Sequence, residues 1–482
     1  MSIPPAEGAR YRFGPLERKA TVAGLAPGQV VALAASLVAA VMLLRALPPV
    51  PGASAAAGAG LVGAAVAFVS VQGRRLEEWV PVVAGWTVRG WRPRRARRWL
   101  CPDPASGHLV AAGRPSVGGA RPERRSAPPF LSGCRFHAAA TSLAPTEAGM
   151  VEDRGTLSVA LAVSGGGFAL LDPVDKERRL AAWASVLTGL AREGAVVRRL
   201  QWIERCTGRP GPYRSEAMDL VPDAPAGAAD SYRQLLSGAG PPTPQHETLL
   251  VVTVGLRAGR TAPAVAALER EVAALVPNLR AAELEVGGAL GPAALRAALA
   301  AGFCAADRWD AAGPWPVATE VGWAWLRADG WWHATYWVAE WPRAEVGPDF
   351  LVPLLMLGPG VRAVGLTMEP VPPARAAREV EAARTAGVAD DELRRRGGFL
   401  STARQRRLRE GVAQREAELA DGHGEYRFSG YVTVSATSMA ELEANCSEVE
   451  HAAGQARLSL RRLYGQQDEA FTYTLPLGRG LR

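Results

Sequence analysis

Lysine is almost missing from this chain. Only Lys19 and Lys176 accompany the arginines among its 55 basic residues. A phosphate loop of the form GxxxxGK[ST] needs a lysine and backbone N–H groups converging on phosphates. Arg18 precedes Lys19 and Glu177 follows Lys176, so neither completes that motif. Cysteine is scarce as well. Cys101, Cys134, Cys206, Cys304 and Cys446 are odd in number, far apart and without CxxC spacing. That excludes a disulfide framework and fits reduced thiols. Histidine is scattered: Cys134 and His137 stand three apart, but no second pair follows at zinc-site spacing. No GxSxG elbow is present. Ser164-Gly165-Gly166-Gly167 lacks the GxGxxG spacing and reads as a tight hairpin. The acidic clusters Glu152-Asp153-Arg154 and Asp390-Asp391-Glu392 read as helix starts or turns. The expectation is no catalytic residue, no cofactor and no metal.

Charge is also missing from most of residues 25–71. One apolar stretch runs from Leu25 to Leu47, with Arg45 near its end, and a second from Ala53 to Val71 has no charge. The Pro-rich segment Pro48–Gly52 separates them. A bilayer core takes about 20 apolar residues in a helix, and backbone polar groups in hydrocarbon must pair internally. The reading is a two-helix transmembrane hairpin, in which Gly58, Gly60 and Gly63 would suit close helix contact. A pair of buried helices in a soluble protein is the alternative, disfavoured by length and missing charge. Arg10, Arg12, Arg18 and Lys19 precede the hairpin; Arg74, Arg75 and a dense cluster follow it. Positive flanks stay cytoplasmic, so both termini are expected inside the cell membrane. The cluster comprises Arg89, Trp91, Arg92, Arg94, Arg95, Arg97, Arg98 and Trp99. It reads as a membrane-interface site for anionic lipids, at about 1 kcal/mol per basic residue. Trp79, Trp86, Trp91 and Trp99 would form an interfacial aromatic belt.

The same cluster accounts for the chain's basic character. Residues 1–100 carry 13 basic and 4 acidic residues, a balance of +9 against +8 for the whole chain, so the remainder sums to −1. A duplex-binding body should carry a basic face of its own, and direct nucleic-acid binding is not expected. With so much alanine, the arginine excess reflects coding bias more than function.

Residues 1–24 read as a cytoplasmic arm and 72–150 as a juxtamembrane segment and linker, Pro- and Gly-rich over 101–133. Beyond it, strand-like and helix-like patterns alternate. The order over 151–290 is a strand at Thr156–Val163, a second short one at Ala169–Leu171, a helix at Asp175–Arg192 capped by Asp172 or Asp175, a strand at Ala195–Arg205, a proline-rich insertion with a short helix near Ala228–Leu236, a strand at Thr248–Leu256, a helix at Pro263–Val276 and a strand at Ala282–Val286. Over 291–482 it is a strand at Trp331–Trp341, a short helix at Gly347–Leu357, strands at Val361–Val371 and Tyr426–Ser435, a helix at Met439–Ala453 and a strand at Ala456–Leu463. The expected fold is α+β: the hairpin, then a duplicated ferredoxin-like (βαββαβ) body. A polar insertion at Ala374–Asp421 reads as two helices broken at Gly397-Gly398, a solvated hairpin before a partner-docking arm. The aromatic zone from Trp309 to Trp341 reads as packed core before interface.

Several strings carry a resemblance. They are Tyr11-Arg12-Phe13-Gly14-Pro15-Leu16-Glu17, Val151-Glu152-Asp153-Arg154-Gly155, Ser164–Asp172, Val346-Gly347-Pro348-Asp349-Phe350-Leu351, and Arg461–Phe471 closing on Leu475–Gly480. Through them the chain resembles a family of actinobacterial conjugation-type membrane proteins. Its hairpin is similar to that of the PrgI family, and its body to the N-terminal, non-ATPase part of type IV secretion ATPases. The resemblance implies a non-catalytic, membrane-anchored structural subunit of a type IV-like conjugative secretion machine, oligomeric within a complex. A conjugation ATPase would continue into a phosphate loop, so a separate secretion ATPase and other subunits of the machine are the implied partners. Two alternatives remain: the cytoplasm-facing E component of a type VII secretion system, and a membrane-tethered enzyme.

Overall fold

The computed structural model describes Tyr11, Phe13 and residues 27–72, 74–91, 98–100, 127–207, 245–256, 260–303, 315–316, 318–358, 360–396 and 403–481, with Gly227, Ser231 and Gln234 between them. Of the insertion helix near Ala228–Leu236 only Ser231 and Gln234 are described, both helical, and Trp309 and most of the 101–133 segment lie outside the described residues.

The two apolar stretches are helices of 20 residues each, α1 (Pro27–Ala46) and α2 (Pro49–Phe68). At 1.5 Å per residue each is about 30 Å long, the thickness of a bilayer's hydrocarbon core. The turn is tighter than the proline count suggests. Pro48 is the N-cap, and Pro49 and Pro51 sit in the first turn of α2, where a missing N–H costs nothing. Of the three glycines, only Gly63 makes the close approach: a Cβ there would meet the Ser36 side chain at 2.2 Å, whereas Gly58 and Gly60 face open space. Gln29 Nε2 bonds the Ala67 carbonyl at 2.8 Å and ties the open end of the pair.

After α2 the chain makes a two-residue ribbon, β1 (Ser70–Val71) with β2 (Arg74–Arg75), and enters α3 (Leu76–Trp91). The rest is one antiparallel sheet. Its strands are β3 (Arg98–Leu100), β4 (Arg135–Ala139), β5 (Ala148–Asp153), β6 (Thr156–Gly165), β7 (Val197–Thr207), β8 (Gln245–Gly255), β9 (Leu284–Ala289), β10 (Ala318–Val321), β11 (Leu326–Ala328), β12 (Trp331–Glu340), β13 (Val361–Val371), β14 (Glu425–Ala436) and β15 (Ser459–Arg462). The helices are α4 (Pro173–Leu190), α5 (Thr261–Ala281), α6 (Pro292–Phe303), α7 (Val352–Leu355), α8 (Pro373–Arg396), α9 (Ala403–Ala420), α10 (Met439–Gln455) and α11 (Gln467–Phe471).

The sheet runs β3-β10-β11-β12-β14-β13-β7-β8-β6-β5-β4, with β15 also on β12 and β9 also on β6. Both halves therefore pair alike: β9-β6-β8-β7 in the first, β15-β12-β14-β13 in the second. They join where β13 pairs β7, Arg362 opposite Cys206 to Met368 opposite Leu200. Strand alternation sends Leu157, Val159, Leu161 and Val163 to one face, against Leu268, Val272 and Leu275 of α5 and Val186 of α4. Ala334, Tyr336, Val432 and Val434 lie on that face too, beneath Leu442, Cys446 and Val449 of α10.

The opposite face is covered by α6 and by the C-terminal segment. Ala160, Ile203 and Val251 cluster there with Leu299, Phe303, Phe471, Leu475 and Leu477, and the same cluster takes in Leu131, Val151, Val321 and Leu326 from the two ends of the sheet. The strands meet the segment with a polar stripe. Gln201 donates to the Tyr473 carbonyl and accepts from Gly478 N–H, both at 2.8 Å. Thr367 Oγ1 donates to the Arg479 carbonyl at 2.9 Å, and Thr433 bonds Thr474 at 2.7 Å. Gly478, at φ +65°, passes so close that a Cβ would lie 2.4 Å from Thr253 Oγ1.

Three local expectations are corrected. Gly165-Gly166-Gly167 does not make a hairpin, and Ala169–Leu171 is not a strand. β6 leaves through a 3-10 turn at Phe168–Leu170 into α4, because Pro173 at the first helical position and the Asp172 carboxylate, bonded to Asp175 N–H at 2.8 Å, start a helix there. Asp390-Asp391-Glu392 is neither a helix start nor a turn; it lies inside α8, where Asp391 and Glu392 pair with Arg409, Arg395 and Arg396.

Candidate membrane-attachment site

The surface of α1 and α2 is apolar and open. Leu37, Met42, Val50, Leu61 and Val62 are all exposed, Leu61 at 74%. These two helices near the N-terminus are candidate membrane spans by length and composition.

Both flanks of the pair return to the body. Upstream, Tyr11 exchanges backbone hydrogen bonds with Val346 at 2.9 and 3.0 Å. Phe13 packs against Trp341, Phe350 and Phe428, with ring centroids 5.3, 5.4 and 6.3 Å away. Downstream, α3 docks by a stripe at helical spacing, Trp79, Val82 and Trp86. Trp79 stacks on Trp323 at 5.9 Å and Trp86 meets it edge-on at 5.4 Å. Gly465 N–H donates to the Trp323 carbonyl at 2.6 Å, and Gly465 at φ +69° makes room for Trp323 and Val82. Glu78 pairs with Arg461 at 3.5 Å, and the Arg461 guanidinium lies over Trp337. Glu77 faces Gly28 at the open end of the pair, and burial raises its carboxyl above the usual range. Arg74 lies over Trp79; desolvation lowers its pKa from a value high enough to leave the charge in place.

The expected aromatic belt is thus corrected in part: Trp79 and Trp86 face the protein, because Trp323 and Tyr464 offer them a flat aromatic platform. Within the basic cluster, Arg89 and Trp91 belong to the last turns of α3, and Trp99 pairs Thr319 in β3. Arg98 is exposed on the same edge strand and pairs with Glu320 at 2.8 Å. Arg92, Arg94, Arg95 and Arg97 lie outside the described residues.

The Trp309–Trp341 zone divides between two uses. Tyr336 and the edge-on pair Trp325–Trp332 pack in the core, whereas Trp323 and Trp341 receive the segments that flank the hairpin. Cys134 and His137 point to different partners. The Cys134 thiol lies 3.7 Å from Asp153 and 3.2 Å from Arg479, and burial pushes its pKa up to about 12. His137 meets Glu152 at 2.8 Å. Among the described residues no group of three His, Cys, Asp or Glu side chains could hold a metal ion.

The strings behind the resemblance meet one another in space. Tyr11 and Phe13 meet Val346 and Phe350. Asp153 pairs with Arg479, and Arg154 with Glu469 at 3.2 Å. Lys176, beside the glycine turn, donates to the Ala169 carbonyl and to Asp349. No family model matches the chain, and no curated protein matches it.

Proposed function

We propose that this chain is a non-catalytic, membrane-anchored structural subunit of a type IV-like conjugative secretion machine, with α1 and α2 crossing the cell membrane and both termini cytoplasmic. One observation carries the reading: an exposed apolar helix pair whose two flanks, at Tyr11 and at α3, both fasten to a single body. A chain that leaves a body, makes a 30 Å hairpin and returns to that body has its flanks on one side of the bilayer. The arginines on either side of the hairpin favour the cytoplasmic side, where the Arg89–Arg98 cluster would meet anionic lipids.

The body reads as two ferredoxin-like units in tandem. The support is the order β9-β6-β8-β7 in one half and β15-β12-β14-β13 in the other, the fourth, first, third and second strands of βαββαβ in each case. In this reading the body docks a separate motor ATPase and neighbouring subunits and performs no catalysis itself.

The test is co-purification from the native membrane in mild detergent. The expected companion is a conjugation-type ATPase. Recovery of an FtsK-like ATPase instead would move the chain to a type VII machine, and recovery with no partner would overturn the scaffold reading.

A further inference from the structure

Helix α3 has a second apolar face that the body does not use. Trp79, Val82 and Trp86 point inward, and Val82 is buried. On the other side Val80, Val83 and Val88 stand 59, 44 and 62% exposed, with Ala84 and Thr87 exposed between them. That outward stripe carries no charge: the helix's two acids, Glu77 and Glu78, turn toward Gly28 and Arg461. At the foot of α2, Phe68, Val69 and Val71 are exposed as well. Only seven residues, 69–75, which include β1 and β2, separate the two helices, pinned by Leu76 N–H to the Val69 carbonyl and by Trp79 Nε1 to the Val71 carbonyl, both at 3.1 Å. Six arginines follow the stripe in sequence between positions 89 and 98.

From this we infer that α3 is an interfacial helix. It lies in the plane of the leaflet that the hairpin enters, its outer stripe Val80, Val83 and Val88 set among anionic lipids and its inner stripe clamped to Trp323. A helix with one apolar and one polar side immerses its apolar face by about 5–10 Å and gains from basic neighbours on an anionic surface. α3 differs from a simple surface helix in that protein replaces water on its inner side. The consequence is mechanical. The body sits flush on the membrane, and force on the body passes through Trp323 and α3 rather than through a flexible tether.

The inference rests on the membrane reading of α1 and α2, and the experiment separates the two. The full chain is reconstituted in vesicles of phosphatidylcholine and phosphatidylglycerol, with p-benzoylphenylalanine placed singly at position 61 of α2, at 80, 83 or 88 of α3, or at 408 of α9. Irradiation at 61 should yield lipid adducts and at 408 only background. Lipid adducts at 80, 83 and 88 approaching those at 61 are the expected result. Adducts at 61 with background at 80, 83 and 88, or cross-links from α3 to a second copy of the chain, would overturn the interfacial helix while leaving the hairpin in place. Background at 61 as well would overturn both readings. The double substitution Val83→Glu with Val88→Glu, at exposed positions, should preserve the fold and abolish the adducts at 80.

Discussion

Asp153 and Arg479 form a bidentate ion pair in which both side chains are almost wholly buried, with Nε–Oδ2 at 2.8 Å and Nη2–Oδ1 at 2.9 Å. The guanidinium also donates to the Phe130 carbonyl and to Thr472 Oγ1. Removing one partner of such a pair strands the other charge and costs about 3–5 kcal/mol. Asp153→Asn is therefore expected to lower stability by about that amount, read by chemical denaturation followed through tryptophan fluorescence; Arg98→Gln, at an exposed pair, should change it by about 1 kcal/mol or less. His333 gives a pH dependence. Burial pushes its imidazole down to about 3 from 6.5, and Nδ1 bonds Ser435 at 2.8 Å. The unfolded chain takes the proton first as pH falls, so this contribution is complete above about 6.5 and declines toward about 3. Between pH 6.5 and 5 the loss is about 2 kcal/mol. The stability gap between wild type and His333→Gln should narrow by that amount from pH 7 to pH 5. None of this was legible beforehand. Glu152-Asp153-Arg154 was readable as a turn, and the turn is there with Arg154 and Gly155 at positive φ, but the partner of Asp153 is 326 residues away.

Elements were legible where length and periodicity were both large. The strand read at Val361–Val371 is β13 residue for residue, and the insertion read at Ala374–Asp421 is the pair α8 and α9. Not all the missed elements are short: β5 has six residues, and α6 has twelve, but its alanine-rich sequence gives the helical period little contrast. β3, β10 and β11 have three or four residues each, too few for alternation to register, and the stripe of α3 lies in a segment dominated by arginine and tryptophan. The polar arm also shows what the fold does not need. Val371 and Glu425 are direct partners across β13 and β14, so a short turn could join them. The root is held by Ala376 and Val380, both buried, and by Arg427 with Glu379. Farther out, α8 and α9 are exposed and linked by pairs such as Arg384–Glu416 at 2.7 Å, contacts worth about 1 kcal/mol or less. Replacing residues 386–412 with a Gly-Ser turn is expected to leave the melting temperature of the solubilised protein within about 4 °C of wild type. If the arm docks a partner, that deletion should remove the partner from a pull-down without unfolding the chain.

At the scale of the molecule, the chain is closed on itself by contacts between its ends and its middle. Tyr11 and Phe13 lie on Val346 and Trp341, α3 on Trp323, and the C-terminal segment across the face of the sheet that α6 also covers. Such closure restricts how the hairpin can be threaded. Were α1 and α2 to leave their flanks on opposite sides of a bilayer, Tyr11 and Trp79 could not both reach the body. An odd number of crossings is incompatible with these contacts, and two crossings put only the turn near Val50 on the far side. Val50 is among the most exposed residues of the pair, so Val50→Cys should fold normally. In intact cells a membrane-impermeant maleimide is expected to label Val50→Cys and to leave wild type unlabelled, since all five native cysteines follow the hairpin. Lysis should make any accessible native thiol reactive, while Cys134, whose thiol burial pushes up to about 12, stays unlabelled until the protein unfolds. Labelling of wild type in intact cells would reverse the orientation, and failure to label Val50→Cys before lysis would mean that the turn never reaches the outer face.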